Sequence, residues 1–126
     1  MMLDYIDHIN TYGDNLVRLY DFDRLQAEKF RQTIQETIIV NKKQLDLTKT
    51  DFIQSRNCQL VLRIAHEDAG ITTSDKIHFF CDLTLNGYEQ MILLLKPFCA
   101  KETKGYQYLY DIDSSTDFLF SPSGTW

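Results

Sequence analysis

With 126 residues, 44% hydrophobic and 25% charged side chains, the chain has the length and composition of one ordinary folded domain spanning 1–126, not of a disordered protein. A balance of 13 basic against 18 acidic side chains gives a net charge of −5, which repels a phosphate backbone, so nucleic acid is not an expected partner. The densest basic cluster is only Lys42-Lys43.

The most apolar run, Met91 to Leu95, is too short to cross a bilayer, and the first residues show no cationic leader ahead of an apolar run. Neither membrane insertion nor a secretory signal is expected. Cys58, Cys81 and Cys99 form no CxxC pair, and an odd count suits reduced thiols in a cytoplasmic protein.

In chain order, Leu3, Tyr5, Ile6 and Ile9 suggest a short helix ending near Gly13. Residues 15–22 alternate Leu16, Arg18, Tyr20 with Val17, Leu19, Asp21 and read as a strand. Asp23 stands at an N-cap with Gln26 three positions on. Ala27, Phe30, Ile34 and Ile38 then recur at three- and four-residue spacing, which predicts an amphipathic helix. The β-branched residues Thr37 to Val40 mark its end or a short strand, and a further short strand fits Leu45 to Leu47.

The strongest β signal follows. Leu60, Leu62 and Ile64 alternate with Val61, Arg63 and Ala65; after a polar loop, Ile77, Phe79, Cys81 and Leu83 alternate with His78, Phe80 and Asp82. Read as an antiparallel hairpin, these runs must pair even-numbered with odd-numbered residues, so that Leu62 and Phe79 share the core face. Tyr88, Met91, Ile92 and Leu95 then predict a second helix, which Pro97 is expected to stop. Tyr106, Tyr108, Tyr110 and Ile112 read as a strand, and Phe118 and Phe120 as another. A turn at Pro122-Ser123-Gly124 is expected to fold Trp126 back over the sheet as an end-cap. The fold expected is α+β: a mainly antiparallel sheet with two amphipathic helices packed on one face.

Catalytic patterns are absent from the sequence. The acidic segment 111–117 has oxygen ligands at alternate positions, but Thr116 and Pro122 stand where a calcium loop needs Gly and a bidentate Glu. The same segment faintly resembles the nucleophile motif of haloacid-dehalogenase-like phosphatases. That motif opens a Rossmann-like sheet, whereas here it follows nearly every other element. His66 and His78 are expected on opposite faces of the sheet, which argues against a metal, and no metal or cofactor is expected. The glycines stand singly, without a phosphate-binding pattern.

The surplus of aromatic strand residues remains. Tyr106, Tyr108 and Tyr110 are expected on one face, near Phe80 and Trp126, as a covered surface or a contact for a partner. Two functions stay open: a non-catalytic protein-interaction or self-associating domain, its partner a protein or a second copy, and a small-molecule binder or enzyme with a pocket between sheet and helices. For the second, Arg63, His66, His78, Asp82 and the tyrosine hydroxyls are the candidate groups.

Overall fold

The computed structural model describes residues 1–7, 15–112 and 115–123. Among them, nine strands form two sheets around two helices. The first sheet has the order β4 (Gln54–Ser55), β1 (Met2–Ile6), β2 (Asn15–Tyr20), β9 (Thr116–Ser121), β8 (Gln107–Tyr110). The second has the order β3 (Leu45–Asp46), β5 (Gln59–Ile64), β7 (His78–Leu83), β6 (Gly70–Thr73). The class is α+β as the sequence indicates, but both sheets are mixed: β1–β4, β2–β9 and β5–β7 pair in parallel.

The helices, α1 (Arg24–Ile34) and α2 (Leu85–Ala100), pack on each other and on the apolar side of both sheets. Asp23 caps α1 with the reciprocal Gln26 bond that the sequence suggests. The stripe Ala27, Phe30, Ile34, Ile38 is fully buried. Phe120 of β9 is the meeting point: Phe30 of α1 stacks on it at 5.8 Å, and Phe98 of α2 meets it edge-on at 5.2 Å. Tyr5 of β1 lies 4.7 Å from Phe79 of β7, so the two sheets share this core.

Several expectations change. Residues 2–6 are a strand and not a helix, because alternation of Leu3 and Tyr5 toward the core, in register with β2, outweighs the three-residue spacing. Residues 8–14, where that helix was to end, lie outside the described residues. Thr37 to Val40 continue α1 as a π-helical segment (Gln35–Val40), which keeps Ile38 in line with Ile34. Pro97 sits inside α2, which runs on to Ala100. Its missing N–H leaves the carbonyl of Leu93 without a helical donor, but Leu93 is exposed to water, and burial of Phe98 holds the last turn down.

The β5–β7 pair keeps the parity expected, Leu60 opposite Phe79 and Leu62 opposite Cys81, but runs parallel. The intervening segment is not a plain loop. Ile71 to Thr73 belong to β6, which forms the antiparallel hairpin with β7, and β7 inserts between β5 and β6.

Candidate functional site

Among the described residues β8 is the last strand of its sheet, and α2 runs alongside it. Between the two lies a cavity of about 270 Å³. Its helix wall is Asn86, Gly87, Gln90 and Leu94, the spacing of one helix face. Its strand wall is Gln107 to Ile112, and Asp68 also lines it.

Asp68 is anchored by the cap of α2. The Thr84 hydroxyl accepts from the Gly87 N–H at 3.0 Å and donates to Asp68 Oδ1 at 2.9 Å; the Thr84 N–H donates to the same oxygen at 2.8 Å. Both contacts land on Oδ1, so Oδ2 retains acceptor capacity. The side chain lies so close to α2 that a Cβ on residue 87 would sit 2.6 Å from Oδ1 and 3.0 Å from Leu83 Cβ. Glycine is what permits the approach.

A β-bulge at Leu109 shapes the other wall. Tyr108 pairs with Leu119 and Tyr110 with Phe118, so one extra residue of β8 falls between. Phe118 faces the shared core, and Tyr110 opposite it packs there too, its hydroxyl donating to the Asp68 carbonyl at 3.0 Å. The three tyrosines therefore do not share a face. Tyr106 and Tyr108 pack against each other outside the core cluster, rings edge-to-face at 5.8 Å, with Tyr106 half exposed and Tyr108 at the cavity.

The other sequence candidates are dispersed. Arg63 and Asp82 are cross-strand neighbours on the outer face of the second sheet and form a two-pronged ion pair at 2.7 and 2.8 Å. The Arg63 guanidinium also lies 3.9 Å above the Phe80 ring. The first sheet repeats the device: Arg18 forks to Asp4 at 2.6 and 2.9 Å and stacks over Tyr20 at 3.9 Å. In both, the carboxylate hydrogen bond raises the arginine pKa further. Two copies of one arrangement, one per sheet, mark Arg63, Asp82 and Phe80 as a surface clamp between strands.

His78 lies at the opposite end of β7 from Asp82 and pairs with Asp75, Nδ1 to Oδ2 2.7 Å. That bond and the backbone N–H groups of Ile77 and His78 hold the Asp75 carboxyl well below the usual range. His66 is exposed just after β5, at the far end of the parallel pair from His78, so strand direction keeps the two apart. Trp126 and His8 lie outside the described residues. Among those residues, no three His, Cys, Asp or Glu side chains converge on a common point.

Of the sequence candidates, then, the cavity gathers Tyr108 and Tyr110. Asp68, Gly87 and Gln90 were missed; the one signal for them was a glycine in the first turn of an otherwise apolar helix.

The lining offers carboxamides, two carboxylates, phenol rings and apolar ends, a set that hydrogen-bonds and orients. The thiols lie elsewhere and are poor nucleophiles: burial pushes Cys58 and Cys81 up to about 12 and Cys99 up to about 11. No helix is long and apolar enough to cross a membrane among the described residues. No family model matches the chain, and neither does a curated protein or a solved structure.

Proposed function

We propose that the protein is a non-catalytic binding domain that recognises a polypeptide through the channel between α2 and β8. The observation that carries this reading is a cavity set against a sheet edge. Sites that enclose a whole small molecule run to roughly 300–1,000 Å³. A cavity of about 270 Å³ suits one or two side chains, and the strand beside it is the last of its sheet among the described residues, the setting in which an extended segment is recognised. The alternative, a metabolite pocket, draws on the same carboxamides and tyrosines.

Thermal shift separates the two. A metabolite, nucleotide or metal ion at a hundred times its Kd raises the Tm by on the order of 10 °C for a domain of this size. No such rise is expected across a metabolite panel, and one compound that produces it, and loses it in Gln90→Trp, would replace this reading by the pocket one. Light scattering over a concentration series decides whether the polypeptide is a second copy.

A further inference from the structure

The lining of the α2–β8 channel is one-sided in charge. Asp68 and Asp111 stand at it, and among its described residues there is no lysine, arginine or histidine. Both carboxylates are exposed to solvent, and the two bonds that Thr84 makes to Asp68 fall on Oδ1. The same lining includes the apolar side chain of Leu94 and the carboxamide of Gln90. A long aliphatic stem ending in a cation matches that set of surfaces: stem on Leu94, head to a carboxylate.

The strand wall sets the shape of the rest. β8 is an edge, and a segment added beside it places alternate side chains on its two sides. One set enters the channel, and beside it the rings of Tyr106 and of Tyr108, itself a channel residue, accept β-branched or aromatic neighbours. The bulge at Leu109 turns Tyr110 onto the core side, where its hydroxyl bonds the Asp68 carbonyl and ties two lining residues together.

We infer that the occupant is an extended segment of a different, basic polypeptide, added as a strand along β8 with a lysine or arginine side chain in the channel that Asp68 and Asp111 line. This rests on the binding function proposed above. A second copy of this chain fits less well, because it carries a net charge of −5 and would bring its own carboxylates against these.

The test is a random-peptide phage library panned on the wild-type protein at low salt. The counter-selection uses Gln90→Trp, which fills the channel from an exposed helix position; its Tm is measured to confirm folding. Enriched peptides are expected to carry a lysine or arginine flanked by β-branched residues, and to slow amide exchange at residues 107–110. Binding measured by fluorescence polarisation should weaken roughly two- to fivefold in Asp111→Asn, the worth of one half-exposed ion pair. Channel-dependent peptides without a basic residue would overturn the inference and leave the binding function standing. Equal enrichment on Gln90→Trp, or none on either protein, would overturn both. A dimer that Gln90→Trp dissociates would assign the channel to a second copy and also overturn the inference.

Discussion

Gly87→Ala tests how the channel is built. A Cβ at this position falls 2.6 Å from Asp68 Oδ1, a distance no real contact sustains, so the carboxylate must swing away. Doing so breaks its two bonds to Thr84, which together resemble an N-cap and cost about 1–2 kcal/mol. Leu83 Cβ, at 3.0 Å, must also yield by a few tenths of an ångström. Against this, alanine returns up to ~1 kcal/mol of helix propensity, less in a first turn. The net expectation is a loss of about 1 kcal/mol, or a Tm lower by about 3–6 °C.

The diagnostic experiment is the double-mutant cycle with Asp68→Ala, followed by urea or thermal unfolding. With the carboxylate gone, the clash with Oδ1 has no object, and Gly87→Ala should come close to neutral. The two sites should thus couple by about 1 kcal/mol. Additivity within ~0.3–0.5 kcal/mol, or a Gly87→Ala protein more stable than wild type, would refute the close approach on which the channel geometry depends.

Two further outcomes follow from buried and paired groups. The Tyr88 hydroxyl shares one proton between the carbonyls of Arg63 at 2.6 Å and Cys81 at 2.7 Å, joining α2 to the β5–β7 pair. Tyr88→Phe should cost ~1–3 kcal/mol, lowering the urea midpoint with an unchanged m-value; a loss below ~0.5 kcal/mol would show the bonds to be idle. The Glu28 carboxyl is drawn down from 4.5 to about 2, chiefly by its hydrogen bond to Arg31. Because the folded pKa is depressed, its contribution is present above pH 4.5 and fades as pH falls toward 2. The partial exposure of both side chains, 24% for Arg31 and 31% for Glu28, and screening by solvent keep it under ~1 kcal/mol. The Tm gap between wild type and Glu28→Gln should therefore narrow across that window, and a gap undiminished at low pH would contradict the pairing.

Local chemistry determined much of this protein before any tertiary contact was known. The Asp23 cap, the Ala27–Ile38 stripe and the even-to-odd pairing of Leu60 and Leu62 with Phe79 and Cys81 are consequences of periods that a single segment carries by itself. Strand direction is not. Side-chain alternation is the same in parallel and antiparallel ladders, so residues 59–64 and 78–83 were equally compatible with either. Only the insertion of β7 between β5 and β6 decided it. Residues 2–6 likewise became a strand because β2 supplied a partner, and Pro97 remained helical because Phe98 is buried against Phe120. The channel belongs to the same class of fact. Asp68, Gly87 and Tyr110 are far apart in sequence, and their convergence depends on a bulge and a helix cap that no periodicity announces.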